Sequence, residues 1–141
     1  MVDTYTSGKL NLIEPANGGY VNVWDGPLAA NWITLDAAVS GTTTVSLSSL
    51  NVVLVRPSYP TSVNPAGVTN STQNLRLLLT GVLTANVTVS IPSGITGMWL
   101  VDNQTTGSAY AVTVNTSAGG STGVLPRRGY LSYIFSDGTN V

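Results

Sequence analysis

Hydroxyl and amide side chains alternate with Val, Leu and Ile through most of this chain, and charge is nearly missing. Five basic and six acidic residues are spread over 141, with no histidine and no cysteine. This pattern restricts the fold more than any motif does. Thr, Val and Ile favour extended backbone, and side chains that alternate in polarity suit a strand buried on one face. The pattern also restricts chemistry: histidine, the side chain whose charge normally changes near neutrality, is missing, as are thiolate nucleophiles and cysteine-based metal sites.

A typical soluble domain is about a quarter charged, whereas this chain is 8% charged with a formal net charge of −1. A neutral surface gives little like-charge repulsion between copies, so much of it is expected to be covered in an assembly. The same balance argues against nucleic acid, which needs a basic footprint. Lys9, Arg56, Arg76, Arg127 and Arg128 form no cluster beyond one Arg-Arg pair. No apolar run approaches the roughly 20 residues that cross a bilayer. Met1–Gly8 has neither a basic nor an apolar signal region. The expectation is a soluble, unsecreted chain with no membrane insertion.

The length suits one folding unit, read in two parts. Residues 1–41 form an irregular arm carrying one helix signal. Lys9–Ile13 alternates as a short strand before Pro15 and the Asn17-Gly18-Gly19 turn. Asp25-Gly26-Pro27 then offers a cap and an initiating proline. Leu28, Trp32, Leu35 and Val39 recur at helical spacing and make one apolar stripe, with Gly41 placed to end the helix. So short a helix is marginal alone, so its stripe is expected to dock, with Trp24 and Asn31 beside it.

From Thr42 the period becomes two. Thr42–Leu47, Val52–Arg56, Leu75–Leu79, Val82–Ile91, Met98–Val101, Ala109–Val114 and Tyr130–Phe135 read as strands separated by Pro/Gly/Asn-rich turns. In Val82–Ile91, Leu83, Ala85, Val87, Val89 and Ile91 would face inward and Thr84, Asn86, Thr88 and Ser90 outward. No internal repeat stands out. The predicted architecture is mainly β: an antiparallel β-sandwich of jelly-roll type over 42–141, preceded by the arm with its short α-helix.

Candidate chemistry is sparse. The acids Asp3, Glu14, Asp25, Asp36, Asp102 and Asp137 occupy arm, turn, helix or strand-end contexts and suggest no paired-carboxylate site. A Ser or Thr nucleophile would need a base, and only Lys9 could serve. Asp102-Asn103-Gln104 and Asp137-Gly138-Thr139-Asn140 offer oxygens to calcium but read more simply as Asx-rich turns. Gly119–Gly123 lacks the Gly-Lys of a phosphate loop. No cofactor or metal is expected, and the chain is read as a non-enzyme. Trp32, in the helix stripe, and Trp99, in an apolar strand, are both expected in the core, while Tyr5, Tyr20 and Tyr59 are candidates for partner or glycan contacts. Arg127-Arg128 is expected to be a solvated or intersubunit pair.

Several stretches resemble a known set of proteins. Trp24-Asp25-x-x-Leu28-x-x-Asn31-Trp32-x-x-Leu35-Asp36-x-Ala38, followed by Gly41-Thr42-Thr43-Thr44, is similar to the N-terminal segment of tailed-bacteriophage tail-fibre and minor tail proteins. Leu79–Val89, Gly97–Gly107 and Ser136–Val141 resemble the same set. The resemblance implies a structural, homo-oligomeric and usually trimeric virion component, assembled in the bacterial cytoplasm. Long fibres continue past such a Ser-Asp-Gly-Thr-Asn-Val stretch into a shaft and tip. A short head fibre, a capsid decoration protein or a tail adaptor fits this length equally well.

The expectation is therefore a virion part. It docks on a capsid or tail protein through Trp24, Leu28, Asn31, Trp32, Leu35 and Val39. It assembles with itself, as a trimer, through Val53, Val55, Leu77, Leu78 and Leu79. The alternative is a carbohydrate-binding module that recognises a host-surface glycan.

Overall fold

The computed structural model describes residues 4–5, 10, 12–14, 16, 25–56, 69–118 and 122–141. The two-residue strands β1 (Thr4–Tyr5) and β2 (Ile13–Glu14) pair antiparallel. The predicted helix forms as α1, Asp25–Ser40. Asp25 places a carboxylate at the positive end of the helix dipole, and Pro27 lies in the first turn, where its missing N–H goes unneeded. The helix ends where predicted, but for a steric reason. Gly41 N donates to Ala37 O at 2.8 Å. A Cβ on Gly41 would lie 2.5 Å from that oxygen and 2.7 Å from Asn74 Oδ1, so close approach demands the glycine.

Seven further strands follow: β3 (Thr42–Ser46), β4 (Val52–Val53), β5 (Arg76–Thr80), β6 (Val87–Ile91), β7 (Thr96–Asn103), β8 (Val112–Thr116) and β9 (Leu131–Asp137). They do not make the expected antiparallel β-sandwich. The fold is mixed α/β, and its sheets are mostly parallel. One sheet has the order β3-β5-β7-β9, in which only the β7–β9 pair is antiparallel. The other has the order β4-β6-β8 and is parallel throughout.

Successive strands from β3 to β8 alternate between the two sheets, so each strand's parallel neighbour lies one full winding away. Arg76 pairs with Leu100 and Val87 with Val112, a winding of about 25 residues, which is the geometry of a short β-solenoid. The first winding is longer, Thr42 pairing with Arg76, because it contains residues 57–68, which lie outside the described residues. Strand polarity explains the correction. A period of two reports that a strand is half-buried, but it does not report the direction of its neighbour.

The windings stack like on like. Leu77 lies beside Val101 and Val45 beside Leu79 in one sheet; Val87 lies beside Val112 and Val89 beside Val114 in the other. All eight side chains are buried, each contributing about 1.5–3 kcal/mol. Trp99 is fully buried and its indole N–H donates to Thr72 O at 2.8 Å. Asparagines tie the corners together. Asn51 Oδ1 accepts Thr88 N at 2.8 Å, and Asn86 Oδ1 accepts Ala111 N at 2.9 Å. Each satisfies a backbone amide of the next winding.

Both ends of the coil are covered. At the start, Asn31 on α1 receives Ile13 N at 2.9 Å on its Oδ1 and donates from Nδ2 to Ile13 O at 3.2 Å, acting as a strand partner for β2. Beneath lie the buried residues Ser71 to Asn74, where Gln73 Nε2 reaches Leu10 O at 2.5 Å. At the other end the chain reverses. Val124 bridges Val114 antiparallel, and β9 then runs back along β7.

Candidate functional surfaces

Helix α1 turns small residues inward. Pro27, Ala30, Thr34 and Ala37 are its buried positions, and Thr34 Oγ1 returns its hydrogen bond to Ala30 O at 2.8 Å. Small side chains let the helix backbone approach the rest of the chain closely. The bulky stripe read from the sequence faces away. Leu28 is exposed, Trp32 is 64% exposed and so not in the core as expected, Val39 is 74% exposed, and Leu35 is half-buried. Asn31 is not on that outward face, because it holds β2. Trp24 lies outside the described residues.

A second apolar surface covers the outer face of the four-stranded sheet. In β9 the usual amphipathic order is reversed. Ile134 and Ser136 are buried, while Leu131, Tyr133 (78% exposed) and Phe135 (58% exposed) point out. Register sets Met98 opposite Phe135 and Leu100 opposite Tyr133. Leu78, half-buried, joins the same face from β5. Sequence reasoning did not assign Met98, Leu131, Tyr133 or Phe135 to an interface. The signal was present: Leu-Ser-Tyr-Ile-Phe-Ser puts its larger side chains on one set of alternate positions and two serines on the other.

The residues expected to meet neighbouring copies divide. Leu77 and Leu79 are fully buried in the coil, so Leu78 is the member of that trio that faces outward. Val53 is exposed in β4 beside β6 on the other sheet, and Val55 is exposed where it bridges Ser71. Tyr20 and Tyr59 lie outside the described residues. Tyr5 is placed in β1, and its backbone pairs with Ile13.

On the apolar sheet face sits one ion pair. Arg76 Nη2 donates to Asp102 Oδ2, and Gln104 Nε2 donates to Asp102 Oδ1 at 2.7 Å. The bond from Arg76, then that from Gln104, hold the Asp102 carboxyl below the usual carboxylate range. Asp137 is lowered too, by the backbone amides of Asn140 and Thr139 at 2.6 and 2.7 Å. Its carboxylate closes an Asx turn. Asp25 and Asp36 are exposed on α1. Among the described residues no three His, Cys, Asp or Glu side chains gather as a metal site.

A cleft of about 310 Å³ opens at the last corner of the coil, lined by Asn103, Tyr110, Leu125, Pro126, Arg127 and Arg128 among others. Arg128 Nη2 donates to the carbonyls of Gly107 and Tyr110 at 3.1 and 2.9 Å. Asn103 Nδ2 donates to Pro126 O at 2.8 Å, fixing the opposite wall. The Arg127 guanidinium lies 4.3 Å from the Tyr130 ring centre, a cation–π distance.

No protein family, curated protein or solved structure matches the chain. No helix among the described residues is long and apolar enough to cross a membrane.

Proposed function

We propose that the chain is a structural component of a tailed-bacteriophage particle, assembled in the bacterial cytoplasm. In this reading it docks on another particle protein through α1 and associates with its own copies through the outer face of β7 and β9. The virion assignment rests on the sequence resemblance. The assembly role rests on one observation above all: a nearly uncharged chain carries Trp32, Tyr133 and Phe135, the most exposed aromatic side chains among the described residues, on two ordered apolar surfaces.

Their size supports the reading. At about 200 Å² per aromatic side chain, the exposed parts of Tyr133 and Phe135, with Met98 and Leu131, amount to on the order of 500 Å². That is the upper end of the largest apolar patch on an ordinary monomer. It is a substantial share of the roughly 800 Å² each partner contributes to a standard interface. A glycan-binding site would need convergent polar groups around its aromatics. Tyr133 instead has Leu131, Phe135 and Leu100 as its neighbours.

The test is incorporation. A chain carrying Trp32→Ser and Val39→Ser keeps its buried helix face and is expected to fold. Particles produced with it in place of the native chain should lack it when analysed by mass spectrometry and electron microscopy. Incorporation at the native level would overturn the docking role of α1.

A further inference from the structure

The chain has only five basic and six acidic residues, yet two of them stand within the apolar face proposed for self-association. Arg76 lies on β5 beside Leu100, and Asp102 lies on β7 between Leu78 and Leu131. An exposed ion pair adds little to stability, so stability does not account for placing this one here. Asp102 is well satisfied, since Arg76 Nη2 and Gln104 Nε2 each donate to one of its oxygens. Arg76 is less so. Its side chain is 42% exposed, and of its guanidinium only Nη2 reaches an acceptor among the described residues. A guanidinium carries five N–H donors. Those left over are hydrated in the free chain and need new acceptors once the face is covered.

The face offers few. Leu78, Leu100, Leu131 and Phe135 carry no polar side-chain atom. Tyr133 carries a hydroxyl, which accepts as well as donates. Its side chain is exposed and makes no hydrogen bond among the described residues. Arg76, Leu100 and Tyr133 occupy one row across the sheet. Two strand spacings put the Cα atoms of Arg76 and Tyr133 about 10 Å apart, with Leu100 between them. We propose that the two side chains meet between copies: a remaining N–H of Arg76 donates to the Tyr133 hydroxyl of the neighbouring copy, and the Arg76–Asp102 pair thereby fixes the register of self-association. The inference rests on the assembly reading and adds what orients the contact. Apolar side chains alone let two faces slide over one another, whereas a covered charge admits only arrangements that satisfy it. The contact serves either closed symmetry. A two-fold dimer makes it twice, and a ring makes it once at each interface.

The experiment is sedimentation of the full chain over a concentration series. The native chain should give one oligomer. Tyr133→Phe removes the hydroxyl and keeps the ring, and should weaken association by about tenfold or more while urea denaturation is unchanged. Arg76→Met with Asp102→Leu removes both charges and nearly keeps side-chain size, and should give several species in place of one. Adding Tyr133→Phe to that double variant should leave the distribution as it is, because the donor is already gone. A monomeric native chain would overturn the assembly reading, and this inference with it. A native oligomer that Tyr133→Phe leaves equally tight, or weakens by the same factor with and without Arg76, would overturn the inference alone. So would a double variant that still runs as one species of native size.

Discussion

Gly81 and Gly107 occupy corners of successive windings and carry the same constraint. Both have positive φ, +110° and +95°. A Cβ on Gly81 would lie 2.1 Å from Leu47 O, and one on Gly107 would lie 2.4 Å from Leu83 O, each a backbone atom of the preceding winding. Gly94 separates the two costs, since its φ is +79° but nothing lies within 4 Å of its Cβ position. Gly94→Ala should therefore cost only the left-handed strain, about 1–2 kcal/mol. Gly81→Ala and Gly107→Ala must also displace a stacked carbonyl, and should each cost at least about 3 kcal/mol. Urea denaturation of the three variants measures the difference. Asp102 supplies a pH test at the same scale. Its folded pKa lies below the unfolded value of about 3.9, so its contribution is present above about pH 4. It is lost as the pH falls through the lower, folded pKa. Because Arg76 is partly exposed, Asp102→Asn should cost only about 0.5–1 kcal/mol at pH 7. Native and variant stabilities should draw together in denaturation curves taken at successively lower pH below about 4.

At the scale of elements, α1 shows what the sequence could and could not reveal. Its position was legible from Asp25, Pro27 and Gly41. Its orientation was only partly so, because apolar residues occur all round it. Hydropathy picks out Leu28, Trp32 and Val39, but the backbone of a neighbouring element can be approached closely only over Pro27, Ala30, Thr34 and Ala37. Size, not hydropathy, chose the buried face. Ala30 is 1% exposed, so Ala30→Leu should force the helix off the coil at a cost of about 1–3 kcal/mol, read as a lowered melting temperature. β9 repeats the lesson. Its strand was legible from the alternation in Leu131–Ser136, but the larger set of side chains points outward. The sheet direction was not legible at all, since alternation is the same for parallel and antiparallel neighbours. Only the recurrence of Asn86-Val87-Thr88-Val89 as Ala111-Val112-Thr113-Val114 hints at stacked windings. The Arg127–Arg128 cleft needed a corner that brings residues 107–112 against 125–128, and no local pattern announces it.

For the whole molecule, the solenoid separates stability from association, and this makes the assembly reading testable without unfolding the chain. The core is a stack closed at one end by α1 with β2 and at the other by the reversed segment carrying Val124 and β9. Terminal caps of this kind keep the open edges of a coil from joining other chains without limit. Association must then run through side-chain surfaces, and the outer face of β7 and β9 is the larger ordered one. Tyr133→Lys with Phe135→Lys places two like charges on that face and leaves the inward Ile134 and Ser136 untouched. The native chain should sediment as a trimer of 14.6 kDa protomers, and the double variant as a monomer, its unfolding free energy from urea denaturation changed by no more than about 0.5 kcal/mol per substitution. Leu77→Ala should behave in the opposite way. It opens a cavity in the core and should cost about 2–5 kcal/mol, while the folded fraction still associates. A dimer in place of the trimer would mean that the face packs on itself across a two-fold axis. An unchanged oligomer in the lysine variant would exclude the face as the contact and shift the search to the exposed valines, Val53 and Val55.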